Sequence, residues 1–166
     1  MSTRGADYFR QGVHQRLRLW ALQKECASWV GTPFRQRSCV KGPLGGVDCA
    51  GFVGAVFLAV GAIDLAISIP PYELNHADHS DESLLRGWFE RSEVRARVRL
   101  LDEGEPALDG DMVFPKVGRT EHHLGIQVGG EIYHVVRPAG VVSQSLAGLA
   151  IHKVTLHRSR YRLLEA

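Results

Sequence analysis

One stretch constrains this chain more than any other: Gly45-Gly46-Val47-Asp48-Cys49, running directly into the apolar series Ala50 to Val60. Counted from Gly45 to Val60, the stretch has about fourteen apolar or glycine residues against the roughly twenty that a bilayer span needs, so it reads as the buried helix of a soluble domain. A cysteine stands where the glycine-containing turn gives way to that helix. The N–H groups of a helix's first turn have no internal partners and lie at the positive end of the dipole, so a thiol placed there is pulled toward thiolate. Gly51 and Gly54 are expected to let another element approach the helix closely. The competing reading of Cys49 is a buried structural thiol, since free cysteine is among the most often buried residue types.

A chain of 166 residues is long enough to bury a core around such a helix, and its size predicts a single domain over 1–166. Upstream, Leu19, Leu22, Cys26, Trp29 and Val30 recur at helical spacing, which predicts an amphipathic helix from about Gln11 to Val30 with Cys26 as core filler. Residues 1–10 are expected to be a loosely ordered N-terminus. They hold no apolar core segment or small-residue cleavage site, so no signal peptide is expected and the protein is placed in the cytoplasm when made. Gly31-Thr32-Pro33 ends the helix, and Phe34 to Gly46 reads as a basic loop that includes Cys39. Cys26, Cys39 and Cys49 are an odd set whose spacing suggests neither a zinc knuckle nor a disulfide framework. Twenty basic residues against eighteen acidic ones are too balanced to imply a nucleic-acid partner.

Beyond the central helix, Ile69-Pro70-Pro71-Tyr72 is an extended connector, and Asn75 to Glu82 is a polar loop. In that loop His76, Asp78 and His79 are either metal ligands or, with no further ligand set evident, solvated residues. Asp78 or Ser80 is placed to cap a helix bearing Leu84, Leu85, Trp88 and Phe89 on one face. The alternation of Val94 to Leu100 predicts a half-buried strand with its arginines outward, a solvated face rather than a nucleic-acid stripe.

The C-terminal half is strand-rich. Asp109-Gly110-Asp111 is a turn before Met112-Val113-Phe114; His122–Val128, Glu131–Val136, Gly140–Ser145 and Lys153–His157 follow as strands. Helices first and a meandering antiparallel sheet afterwards make an α+β plan. With Gly129-Gly130 as a two-residue hairpin turn, Val128 faces Glu131, Ile126 faces Tyr133, Gly125 faces His134, and His123 faces Val136. His123 and His134 then share one face as diagonal neighbours about 7 Å apart at the backbone, with only a glycine between them. His122 points to the other face. A cysteine at a helix start and two histidines on a strand face are the parts of a nucleophile, a base and an orienting group.

Several segments together resemble the NlpC/p60 cell-wall cysteine peptidases, and within them the phage-type members. They are Trp29-Val30-Gly31-Thr32-Pro33-Phe34-Arg35, Val47-Asp48-Cys49-Ala50-Gly51-Phe52-Val53, Asp109 to Phe114, His123-Leu124-Gly125-Ile126 and Ile132-Tyr133-His134. The resemblance implies a reduced papain-like fold, with N-terminal helices packed on an antiparallel sheet and the nucleophile at the start of a buried helix. It implies hydrolysis of a peptidoglycan stem peptide, commonly at the bond from D-γ-glutamyl to meso-diaminopimelate. In that reading Cys49 is the nucleophile, His123 the general base and His134 the orienting residue. Asp48 receives the free amine of the stem peptide, Phe34 and Arg35 lie at the substrate, and neither a metal nor a cofactor is needed. Two departures stand out: the family often has tyrosine where Phe34 stands and serine where Ala50 stands. Phage tail proteins are the implied partners and a phage-like particle acting on the cell wall the implied setting, with no membrane insertion. A tail-tip structural component of low activity, and an amidase or acyltransferase of the wider superfamily, are the alternative readings.

Overall fold

The computed structural model describes residues 3–63, 83–102, 104–116, 123–145, 148 and 155–163. The first helix, α1 (Thr3–Ser28), starts well before the predicted Gln11, so the segment expected to be loosely ordered is helical from Thr3. Leu22 and Cys26, four apart, are buried on the inward stripe of an amphipathic helix, and Trp29, the residue just past its end, is buried in line with them. Val30 does not belong to that stripe. The helix has ended by then, and Val30 is exposed.

A short ribbon follows, β1 (Cys39–Val40) against β2 (Gly46–Val47), so Cys39 sits on a strand rather than in a loop, and it is exposed. Next comes α2 (Cys49–Ala59), opening at the expected residue. Phe52, Val53, Val56 and Phe57 bury themselves around it, each such side chain stabilising the fold by about 1.5–3 kcal/mol relative to exposure. Trp29 of the first segment meets Phe52 edge to face at 6.0 Å, which locks α1 to α2. Gly51 is packed as its sequence position suggested, since a Cβ there would lie 3.1 Å from the Ser38 carbonyl. Gly54 is not: among the described residues nothing lies within 4 Å of its would-be Cβ, and it lines an apolar cavity instead.

The connector at Ile69–Tyr72 and the loop carrying His76, Asp78, His79 and Ser80 lie outside the described residues. Helix α3 (Leu84–Phe89) is capped by Ser83, whose hydroxyl accepts from the Arg86 N–H at 3.1 Å, in place of the expected Asp78 or Ser80. The predicted strand Val94–Leu100 is divided between a helical turn, α4 (Ser92–Arg95), and a strand, β3 (Val98–Leu100). Val94 and Val98, four apart, are both buried, a spacing that satisfies a helical turn and a two-residue alternation alike.

The remaining strands are β4 (Met112–Lys116), β5 (Gly125–Val128), β6 (Glu131–Val136), β7 (Gly140–Ser145) and β8 (Thr155–Leu163). They join β3 in one antiparallel sheet of order β3-β8-β4-β5-β6-β7. β4 to β7 form the expected meander, but β8 returns between β3 and β4 and is longer than the predicted Lys153–His157. Ile126, Val128, Tyr133 and Val135 join Phe52, Val53 and Val56 in the core between helices and sheet. Among the described residues no helix is long and apolar enough to cross a membrane.

Candidate active site

Asp48 has extended backbone, φ −99° and ψ 173°, and caps α2: one carboxylate oxygen accepts from the Gly51 N–H at 2.7 Å. The other accepts from the Arg37 N–H at 2.8 Å, tethering a loop residue held at φ 55° in the left-handed region. Asp48 is therefore buried, 3 % exposed, with both oxygens engaged.

Cys49 is the first residue of the helix and is partly exposed. Its sulfur lies within hydrogen-bond reach of the backbone N–H groups of Leu124, Ala50 and Cys49 itself. The contact from Leu124 brings the helix start to the strand segment that carries His123, two parts of the chain that spacing alone could not join. The N–H groups at the helix start do act toward the thiolate, but burial, and after it the charge of Asp48, outweighs them and pushes the Cys49 thiol up to about 12. The cap explains part of this: the carboxylate that takes the Gly51 N–H also sets a negative charge beside the sulfur. Cys26, fully buried, is likewise pushed up to about 12, by burial and then by Glu25. The exposed Cys39 is raised by burial and then by Asp48, its thiol donating weakly to the Gly51 carbonyl at 3.5 Å.

The hairpin register matches the sequence reading over the strands: Val128 opposite Glu131, Ile126 opposite Tyr133 and Gly125 opposite His134. Gly129 and Gly130 have φ 63° and 77°, the backbone a two-residue turn of this hand requires and glycine adopts freely. The ladder stops at Gly125, so the expected pairing of His123 with Val136 is not part of it. His123 stands just ahead of β5, half-buried, and its Nε2 lies 2.8 Å from Nδ1 of the buried His134. His134 Nε2 in turn lies 2.7 Å from Oε1 of Gln144 on β7. Burial lowers the His134 pKa below its ordinary value, and the hydrogen bond to Gln144 offsets this only in part. His122 lies outside the described residues.

Phe34 forms a bridge to Val47, two residues before the cysteine, and packs against the core. The Arg137 guanidinium lies over its ring at 5.3 Å. Arg35 is exposed, its N–H bonded to the Val47 carbonyl at 3.1 Å and its side chain laid across Gly46. Sequence reasoning missed both Gln144 and Arg137. Val136 pairs with Gly140, so only residues 137–139 separate β6 from β7; Pro138 marks a turn there, but a turn residue alone does not set the register that brings Gln144 beside His134.

The Asp109-Gly110-Asp111 turn is architectural. Asp109 accepts from the Gly129 N–H at 2.9 Å, and buried Asp111 holds the Arg162 guanidinium of β8 at 2.7 and 2.9 Å. These contacts join the nearby hairpin turn to the strand that completes the sheet. Among the described residues no group of three or more histidine, cysteine, aspartate or glutamate side chains is placed to hold a metal ion.

No protein-family model and no curated protein matches this sequence. Solved structures do. The chain is similar to a lipoprotein-like NLP/P60 family protein from Staphylococcus aureus, at 19 % identity and a TM-score of 0.53, over 90 % of this chain and 42 % of that one. It is similar to the peptidoglycan hydrolase RipB of Mycobacterium tuberculosis, at 18 % identity and 0.53, over 93 % and 68 %. It is similar to NlpC1 of Trichomonas vaginalis, at 15 % identity and 0.55, over 89 % and 45 %. The chain thus spans less than half of the first and third of these proteins. At such identities the likeness establishes the fold: an α+β domain of NlpC/p60 type.

Proposed function

We propose that this chain is a peptidoglycan hydrolase, a thiol endopeptidase that cleaves a stem-peptide bond through an acyl-enzyme on Cys49. The carrying observation is the convergence of three elements: a cysteine at the start of α2, the Leu124 N–H at its sulfur, and His123 hydrogen-bonded to buried His134. The fold shared with RipB, a peptidoglycan hydrolase, supports the substrate class.

With the thiol raised to about 12, the nucleophile is made during the attack rather than held ready. Cys49 passes its proton to His123 as the C–S bond to the scissile carbonyl carbon forms. Collapse of the tetrahedral intermediate breaks the C–N bond, and the departing amine takes that proton from His123. Water, deprotonated by His123, then cleaves the thioester and restores the thiol. The N–H groups around the sulfur favour its developing charge. Asp48 opposes that charge; being buried with both oxygens on backbone N–H groups, it would act on a substrate ammonium through its field rather than by contact, and such a cation nearby would ease ionisation of the thiol. We assign the bond to D-γ-glutamyl–meso-diaminopimelate, with Phe34 and Arg35 at the substrate and a phage-like particle as the setting.

An apolar cavity favours one other reading. It is lined by Ala50, Val53, Gly54, Trp88 and Leu124 among others, so it adjoins the neighbours of both Cys49 and His123. Its apolar lining suits an acyl group better than a polar muropeptide, as in an amidase or acyltransferase of the same superfamily, but its volume of about 40 Å³ admits only a short one.

Mass spectrometry of muropeptides, and in a parallel incubation of a lipid amide, treated with the full chain and with Cys49→Ala as control, decides between these readings. Cysteine-dependent appearance of a cleaved stem peptide supports the endopeptidase. Intact muropeptides alongside deacylated lipid amides would replace it with the second reading, and no product from either would leave a structural role.

A further inference from the structure

The two facing histidine nitrogens do not by themselves say which ring owns the proton between them. A pair of neutral imidazoles 2.8 Å apart is equally satisfied with His123 donating to His134 or the reverse. The asymmetry enters from β7. Ile132 pairs with Gln144 and His134 with Val142, so Gln144 is the diagonal neighbour of His134 on the same face of the β6–β7 pair. Its Oε1 lies 2.7 Å from His134 Nε2.

An amide oxygen can only accept, so His134 Nε2 carries a proton. A neutral imidazole has one N–H, which leaves His134 Nδ1 as an acceptor. The proton between the two rings then belongs to His123 Nε2, and neutral His123 offers its unprotonated Nδ1 as the only basic atom. His134 is 3 % exposed and has a partner on each ring nitrogen, so it cannot turn over without breaking both contacts. A neutral amide at the end of the relay, where a carboxylate would draw a second proton into the pair, keeps His134 uncharged while His123 becomes imidazolium.

We propose that Gln144 is a positioning residue of this site: through His134 it sets the tautomer of His123 and so designates Nδ1 as the atom that takes the cysteine proton. The proposal rests on His123 being the general base, but its first test does not depend on any turnover.

The full chain is labelled with nitrogen-15 in its histidine rings, and long-range proton–nitrogen spectra are recorded near neutral pH, with His123→Ala and His134→Ala used only for assignment. Both His134 and neutral His123 are expected as Nε2–H tautomers. In Gln144→Met, which keeps length and loses the acceptor, His134 is expected to populate both tautomers. Turnover should fall on the order of tenfold or more at unchanged KM. Gln144→Glu restores an acceptor and the single tautomer, and because its charge favours an imidazolium at His134, the acid limb of the pH–rate profile moves to higher pH. His134 protonated at Nδ1 in the parent overturns the proposal, and so does a Gln144→Met protein with unchanged tautomer and pH profile. If Gln144→Met is unfolded by circular dichroism, the Gln144→Glu profile decides: an unmoved acid limb overturns the proposal. A chain that cleaves no muropeptide yet shows the expected tautomers refutes the functional reading and leaves the relay standing.

Discussion

The backbone N–H of Leu124 reaches the sulfur of Cys49, and Leu124 is the residue that follows His123. One peptide group thus ties the start of α2 to the histidine pair, at a point where the chain has not yet entered the ladder of β5.

If His123 is the base that this contact brings to the sulfur, removing it should cost more than removing its supports. His123→Ala is expected to lower turnover on a muropeptide on the order of a thousandfold or more, and Cys49→Ala to abolish it. His134→Ala should cost less, because it orients without transferring the proton. His122→Ala should change activity by no more than a few fold. Steady-state turnover of the four variants, each checked for folding by circular dichroism, tests the order; a dead His122 variant beside an active His123 variant would reverse the assignment.

The raised thiol predicts an unusual titration for a nucleophilic cysteine. Because the Cys49 pKa stands at about 12, its thiolate fraction is small at neutrality and grows with pH, so iodoacetamide should label it faster at each step from pH 6 to pH 9. Cys26, equally raised and with no exposure, should stay unlabelled in the folded chain. Peptide mapping after timed alkylation gives both rates. A plateau for Cys49 near neutral pH would mean a preformed thiolate–imidazolium pair.

Gly125 separates the two histidines, and a side chain has nowhere to go there. A Cβ at Gly125 would lie 3.0 Å from Ile132 Cγ2 and from the Tyr133 carbonyl, and 3.1 Å from His134 Cβ. Gly125→Ala should therefore displace His134 by a few tenths of an ångström and lower turnover on the order of tenfold to a hundredfold. The expected signature is a loss in kcat with a melting temperature close to that of the parent. A fully active alanine variant would show that the ring spacing is not critical.

Buried Asp111 depends on Arg162. Arg162→Met leaves the carboxylate, among the described residues, with the Leu108 N–H at 2.8 Å as its donor, and should cost about 3 kcal/mol. That corresponds to a fall of roughly 6–12 °C in melting temperature for a domain of this size. Calorimetry tests it, and a shift under 2 °C would mean that the pair contributes little.

Much of the fold was legible because its signals are local. The apolar run after Cys49, the stripe Leu22-Cys26-Trp29 and the glycine pair at 129–130 each determine an element from neighbours in sequence. The hairpin parity that sets His123 against His134 follows from a period of two and a two-residue turn, with no knowledge of the rest of the molecule. Where local signals were ambiguous the outcome differed, as at Val94 and Val98, whose spacing of four fits a turn and a strand alike.

By itself, then, the sequence determined the parts: a cysteine opening a buried helix, two histidines on one hairpin, and an α+β order of elements. Tertiary structure alone decided how they act. The Cys49 ionisation could not be read from its helix position, because burial and the Asp48 charge outweigh the N–H groups around the sulfur, and both arise only once the domain closes. Gln144 entered the site through the register between β6 and β7, and β8 took its place between β3 and β4, by pairings between strands distant along the chain. Such pairings depend on which faces the folded core buries, a property of the whole domain that no short window of residues carries.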